Sequence, residues 1–304
     1  MLAGPTASGK TEVARHLAKK IPACMISFDS MQVYRQMPIT TQAPSPSLFA
    51  KKTYLVNFVD PKKEYSAAVF RKDAERLVSL SAKRNKIPFL VGGTGLYLRM
   101  LLDGLFEGSE GGPVTDEAFR LRLFEEEKRA PGTLCLRLKE KDPASAERIH
   151  ANDTRRLVRA LEVCHLLGRP FSSAKKDRRG LREEFSPVIF FLDRDRSDLY
   201  GRIDRRVNAM IQQGLVAEVK KLRKLSLSRT AGMALGVREI TAYLKGDLSL
   251  DQAVELLKKN TRNYAKRQVS WFRHEKEARF ISVEPEESSA RIADRILMEW
   301  RNTA

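Results

Sequence analysis

The run Gly4-Pro5-Thr6-Ala7-Ser8-Gly9-Lys10-Thr11 matches GxxxxGK[ST] and constrains the fold more than any other feature of the chain. Glycines at its ends let the backbone curl so that successive N–H groups point inward at phosphate oxygens. A helix starting near Lys10 adds the positive end of its dipole. In that geometry Lys10 supplies a point charge to the terminal phosphate and the Thr11 hydroxyl ligates magnesium. A plain glycine turn is the alternative, and context decides between them: a strand must precede and a helix must follow. Glu12–Lys20 has helical spacing, whereas Met1-Leu2-Ala3 is short for a central strand.

Short apolar runs at Cys24–Phe28, Tyr54–Val59, Ile87–Val91, Val188–Leu192 and Phe280–Val283 read as strands, with helical patterns such as Ala67–Asn85 between them. Apolar strands alternating with helices predict an α/β fold, a P-loop NTPase-like core with a mostly parallel sheet. From Asp116 to about Leu167 apolar residues recur three and four apart and no strand candidate occurs. Gly168, Pro170, Ser172 and Ser173 then break the pattern ahead of the basic Lys175–Arg182. The expected organisation is a core of residues 1–112 and 187–304 with a helical insertion domain at 113–186.

The 56 basic and 38 acidic side chains leave a net charge of +18, divided +7, +4 and +7 among residues 1–112, 113–186 and 187–304. Charge spread over the whole chain suits a long polyanion that touches several parts of the fold. Lys258–Arg273 contains six basic residues and no acid. At helical spacing Lys259, Arg262, Lys266 and Arg273 share one face, suited to nucleic-acid phosphates, and Leu257, Tyr264 and Trp271 share another. Trp271 and Phe272 read as core. The three cysteines are far apart with no CxxC pair, and the four histidines have no HxxxH spacing, so neither a disulfide framework nor a zinc finger is expected. No apolar run approaches the roughly 20 residues that span a bilayer, and no secretory leader opens the chain; a cytoplasmic, non-membrane protein is expected.

Asp29 and Asp60 both end apolar runs, at the sheet edge where open α/β folds bind ligands. Either could hold magnesium through water or take a proton from a nucleophile. Asp60 precedes Pro61 and reads as a turn former, so Asp29 is favoured, followed by Ser30-Met31-Gln32-Val33-Tyr34, a run suited to base recognition. Gly92-Gly93-Thr94-Gly95 supplies another backbone-rich turn at that edge.

Seven segments in order resemble the tRNA dimethylallyltransferase family, bacterial type. They are Gly4–Thr11; Asp29–Tyr34; Asp60-Pro61 with Tyr65-Ser66-Ala67; Gly92–Tyr97; Asn152–Val163; Ala234-Leu235-Gly236 with Arg238-Glu239; and Thr261–Gln268 with Trp271-Phe272-Arg273. The resemblance implies transfer of a dimethylallyl group from its diphosphate to the exocyclic amine of the adenine 3′ of the anticodon, with tRNA and dimethylallyl diphosphate as partners. It implies that Gly4, Pro5, Thr6, Ala7, Ser8, Gly9, Lys10 and Thr11 hold the diphosphate, with magnesium at Thr11. It assigns catalysis to Asp29, Arg206 and Thr6: Asp29 receives the amine proton and Arg206 stabilises the departing diphosphate. By the same resemblance Asp29, Ser30, Met31, Gln32, Thr94, Arg120, Arg155, Arg156, Leu157, Val158, Arg159, Met233, Ala234, Leu235, Gly236, Val237 and Arg238 contact tRNA. Arg262, Lys266 and Arg273 join them from the cationic helix face, and a monomer is expected.

Departures from the family pattern are local. Thr41-Gln42-Ala43-Pro44 stands where relatives often show Thr-Ala-Lys-Pro, Thr53-Tyr54 where His-His is common, and Gly236-Val237 where Gly-Tyr is common. Two other functions fit the loop: a small-molecule kinase, which would show phosphoryl transfer from ATP, and an RNA-stimulated NTPase, for which the chain lacks an apolar run ending in Asp-Glu.

Overall fold

The computed structural model describes residues 1–44, 53–104, 115–174 and 179–302. The first half of the core runs β1 (Leu2–Ala3), α1 (Lys10–Lys20), β2 (Ala23–Ser27), α2 (Pro38–Thr41), β3 (Thr53–Tyr54), α3 (Ala67–Lys83), β4 (Ile87–Gly92) and α4 (Gly95–Asp103). Five helices follow: α5 (Glu117–Arg129), α6 (Thr133–Lys141), α7 (Pro143–Ala146), α8 (Thr154–Leu167) and α9 (Phe171–Ala174). The chain then returns through β5 (Ile189–Arg194), α10 (Arg196–Gln212), α11 (Leu215–Leu222), α12 (Val237–Lys245), α13 (Leu250–Phe272), β6 (Ala278–Val283) and α14 (Ser289–Arg301). Two compact units result, Met1–Arg99 with Ser186–Ala304, and Met100–Phe185. The boundary expected at residues 112/113 lies outside the described residues.

The six strands form one parallel sheet in the order β3-β2-β4-β1-β5-β6. Short as it is, β1 occupies the middle: Leu2 lies opposite Val91 and Phe190, and Ala3 opposite Gly92 and Phe191. Two paired residues suffice there because both are fully buried between neighbours. The strand expected at Tyr54–Val59 stops after Tyr54. Leu55 (φ 62°) and Asn57 (φ 52°) take left-handed backbone that no extended strand tolerates, and Val59 returns only as an isolated bridge to Tyr34.

Helices cover both faces, as an apolar parallel sheet requires. Val13, Ala14, Leu17 and Ala18 of α1 and Ile292, Ala293, Ile296 and Leu297 of α14 pack over Leu2, Met25, Phe89, Phe190 and Leu192. On the opposite face Phe191 meets Phe272 of α13, ring centroids 4.9 Å apart. A capping box of Ser249 and Gln252 starts α13, and Ala253, Leu257, Thr261, Ala265, Gln268 and Phe272 form its buried stripe. The expected apolar face is therefore rotated: Tyr264 and Trp271 flank the stripe, half-buried, while Phe272 is core.

The second unit has its own core of Phe119, Leu123, Leu134, Leu138, Leu157, Val158 and Leu161. Asp116 and Asp153 cap α5 and α8 through the N–H groups of Phe119 and Arg156. Among the described residues no helix is long and apolar enough to cross a membrane.

Candidate active site

The loop between β1 and α1 turns through Ala7 (φ 64°) and Gly9 (φ 93°). Left-handed backbone at an alanine costs about 1–2 kcal/mol and persists only where the surroundings impose it. Here they do. The Ala7 carbonyl accepts from Arg202 Nε (2.9 Å), the Ser8 carbonyl from Arg194 Nε (2.9 Å) and the Pro5 carbonyl from Lys10 Nζ (2.7 Å). A carbonyl held by a cation is kept from repelling an anion in the loop. No side chain caps α1 at Gly9, so the N–H groups of its first turn keep their capacity for an anion.

Thr6 sits at the crossing of two further elements. Its N–H donates to Gln268 Oε1 (2.8 Å), and its hydroxyl accepts from Arg206 NH1 (3.2 Å). Gln268 is buried and donates through Nε2 to the Gly93 carbonyl (2.9 Å), so one side chain joins the phosphate loop to the β4–α4 turn. The turn needs its glycines for proximity: a Cβ on Gly93 would lie 2.4 Å from Gln268 Nε2, and one on Gly95 2.2 Å from the Trp271 ring.

Positive charge gathers where Asp29 can answer it. Burial pulls the Lys10 ammonium down to about 7, with Asp29 opposing and Arg206 adding to the shift. Burial also lowers Arg206, against the stabilising Asp29 carboxylate. At the end of β2, Asp29 Oδ1 accepts from the N–H of Met31 (2.9 Å) and Gln32 (3.3 Å), which fixes the carboxylate. Among the described residues nothing bonds Oδ2. The Thr94 hydroxyl accepts from Ser30 N–H (3.0 Å) and bonds the Tyr264 hydroxyl, whose pKa burial pushes up so that it remains a phenol. Asp60 is spent elsewhere: Lys62 N–H donates to it at 2.9 Å and Arg35 pairs with it at 3.3 Å. It is a turn residue, as its sequence context suggests.

The residues expected to touch tRNA divide by exposure. Arg155, Arg156, Met233, Arg238, Lys266 and Arg273 are exposed, and Ser30, Met31, Gln32, Thr94 and Leu235 are half-buried. Leu157, Val158, Ala234 and Val237 are buried, so their side chains are corrected from contacts to core. Full burial of a leucine is worth about 2 kcal/mol, which exposure to RNA would forfeit. Gly236 serves as the N-cap of α12, its N–H donating to Glu239 Oε2 (2.9 Å). Arg120 and Arg159 both pair with the buried Glu162, at 2.8 and 2.6 Å. Arg262 pairs with Asp204 at 3.0 Å, so it faces α10 rather than standing clear on the cationic face. Sequence reasoning gives no role to Arg194, Arg202 or Gln268, and sets Tyr264 only on the apolar face of α13. The first three act on backbone groups distant in sequence, which no local pattern announces; the polar Gln268 within an otherwise small and apolar stripe was the available signal.

Residues 32–275 match the family model described as IPP transferase. The chain is 42% identical to the tRNA dimethylallyltransferase of Geobacter sulfurreducens over 286 residues, 92% of this chain and 90% of that one. It is 42% identical to the Thermotoga maritima tRNA dimethylallyltransferase over 281 residues, 91% of this chain and 90% of that one. Among solved structures, the full-length tRNA isopentenylpyrophosphate transferase of Bacillus halodurans superimposes with a TM-score of 0.68 at 33% identity, covering 99% of this chain and 96% of that one. A eukaryotic dimethylallyltransferase acting on tRNA gives 0.83 at 26% identity, covering 99% and 77%.

Proposed function

Because the chain belongs to the IPP transferase family and transfers a dimethylallyl group to tRNA, we propose that the acceptor is the exocyclic amine of the adenine 3′ of the anticodon and that Asp29, Thr6 and Arg206 carry the transfer. The observation that supports this most is the convergence of a cation-tied phosphate loop, Arg206 on Thr6, and a fixed carboxylate that senses both Lys10 and Arg206. The diphosphate lies in Gly4–Thr11, taking N–H groups from the loop and the first turn of α1. The allylic C–O bond breaks as the C–N bond forms. The diphosphate leaves with the bonding electron pair, and Lys10 and Arg206 offset its growing charge. The amine becomes cationic as it attacks, and Asp29 Oδ2 takes its proton.

Magnesium fits the donor set. The Thr11 hydroxyl takes no partner among the described residues, and no group of three His, Cys, Asp or Glu side chains is present among them to build an all-protein cage. The Thr11 hydroxyl would hold the ion as the Ser or Thr of a phosphate loop does, with phosphate oxygens and water as its other ligands. When bound it neutralises part of the diphosphate charge. The adenine must leave its stack to reach Asp29. Lys266 of α13 and Arg273 at its C-cap, Arg238 of α12, and Arg155 and Arg156 of α8 are among the exposed cations available to tRNA phosphates. The reading includes a monomer working in the cytoplasm, where tRNA is found. Incubation with magnesium, dimethylallyl diphosphate and an anticodon stem-loop tests it: prenyl must appear on that adenine, and phosphoryl transfer from ATP in its place would favour a kinase.

A further inference from the structure

Arg206 is held from two sides. NH1 donates to the Thr6 hydroxyl at 3.2 Å, and Nε donates to Oε1 of Gln42 at 3.1 Å. Gln42 is the C-cap of α2, with left-handed backbone at φ 50°. Its side-chain amide is fixed at the other end as well: Nε2 donates to the Ile39 carbonyl at 2.9 Å, which turns Oε1 toward the guanidinium. The backbone is pinned by Gln32 Nε2, which donates to the Gln42 carbonyl at 3.3 Å. One-turn α2 is anchored at its start by Glu218 of α11. That carboxylate accepts from Ile39 N–H (3.0 Å), Thr40 N–H (2.8 Å) and the Thr40 hydroxyl (2.6 Å). Gln42 is therefore carried by a braced segment.

A guanidinium carries five N–H donors in one rigid plane. With Nε on Gln42 and one NH1 hydrogen on Thr6, the direction of that plane is set. The remaining donors take no partner among the described residues. A neutral amide acceptor fixes an arginine without neutralising it; a carboxylate at the same place would form an ion pair and compete with an anionic ligand.

Resting on the reaction proposed above, we infer that Gln42 is a positioning residue that orients Arg206, so that its free donors meet the departing diphosphate. It acts through Arg206 and does not touch the substrate. Gln42 stands apart from the residues expected to act, and its place at a left-handed C-cap otherwise reads as a turn position alone.

The test uses the full chain with four variants, Gln42→Ala, Gln42→Met, Gln42→Glu and Arg206→Met, and the double variant of Gln42→Ala with Arg206→Met. All the residue-42 variants place an L side chain at the same φ, so backbone strain is common to them. Losing the hydrogen bond to the guanidinium, Gln42→Ala and Gln42→Met should lower kcat about tenfold or more, with KM for dimethylallyl diphosphate within about twofold; both also lose the bond to the Ile39 carbonyl, so any fall in Tm should be equal in the two. Calorimetric affinity for inorganic pyrophosphate should fall about fivefold, because the product carries the charge that Arg206 meets. Gln42→Glu should lose more than Gln42→Ala, since its carboxylate engages the guanidinium. In the Arg206→Met background, Gln42→Ala should cost nothing further, which a merely structural role would not produce. Additive losses, or pyrophosphate affinity and kcat unchanged in Gln42→Ala, would overturn the inference. A wild-type protein that fails to prenylate RNA, yet binds pyrophosphate with this Arg206-dependent Gln42 effect, would refute the reaction and leave the positioning role standing.

Discussion

Raising the pH from 7 to 9 should loosen the phosphate loop's hold on diphosphate, and Lys10 sets the size of the effect. Burial brings its ammonium from 10.5 to about 7 in the ligand-free fold. A bound diphosphate restores a full counter-charge, so binding at pH 8 should draw in about 0.9 proton, and at pH 6 only about 0.1. Apparent affinity then scales inversely with 1 + 10^(pH − 7), a loss of about 50-fold between pH 7 and 9. The assay is calorimetry of inorganic pyrophosphate in buffers of different ionisation enthalpy, on wild type and Lys10→Arg. The arginine stays charged throughout, and titration of the ligand itself is common to both proteins and cancels. Wild type should show proton uptake at pH 8 and a steeper pH slope than Lys10→Arg. Equal slopes, or uptake below about 0.2 proton at pH 8, would refute the reasoning. The same shift has a stability counterpart of fixed sign. Between about 7 and 10.5 the unfolded chain binds a proton that the fold releases, so this group makes stability rise with pH across that window.

Three further outcomes follow from named contacts. Asp29→Asn keeps an Oδ1 acceptor for the Met31 and Gln32 N–H groups but cannot take a proton; kcat should fall about 10²- to 10⁴-fold while pyrophosphate affinity holds, and a loss of affinity alone would contradict the base role. Gly95→Ala would set a Cβ 2.2 Å from the Trp271 ring, and calorimetric melting should register about 1–3 kcal/mol of destabilisation; an unchanged Tm would show that the ring moves freely. Glu162→Gln leaves Arg120 and Arg159 without their shared buried counter-charge, and denaturant unfolding should report a loss of about 3 kcal/mol; no change in midpoint would place those arginines in solvent.

The phosphate loop was legible because its chemistry is local: eight consecutive residues carry the turn, the dipole and the lysine. Asp29 was legible because it ends an apolar strand. Leu157 and Val158 came into the tRNA set as part of a continuous motif, although their spacing with Leu161 already marks a buried helix face. The end of β3 was hidden because left-handed backbone at Leu55 and Asn57 is paid for by tertiary bonds, among them Asn57 N–H to the Gln32 carbonyl at 2.9 Å. For the same reason Gln268, Arg194 and Arg202 could not be read as loop clamps: each bonds a backbone group more than 170 positions away, and only the packing of β5, α10 and α13 beside the loop brings them together.

The most direct test of the account is mass spectrometry of an anticodon stem-loop incubated with the protein, magnesium and dimethylallyl diphosphate, with Asp29→Asn alongside. The account predicts a prenyl mass gain on the adenine 3′ of the anticodon, absent when that adenine is replaced and strongly reduced with Asp29→Asn. Prenyl on another nucleotide, or an undiminished gain with Asp29→Asn, would contradict it.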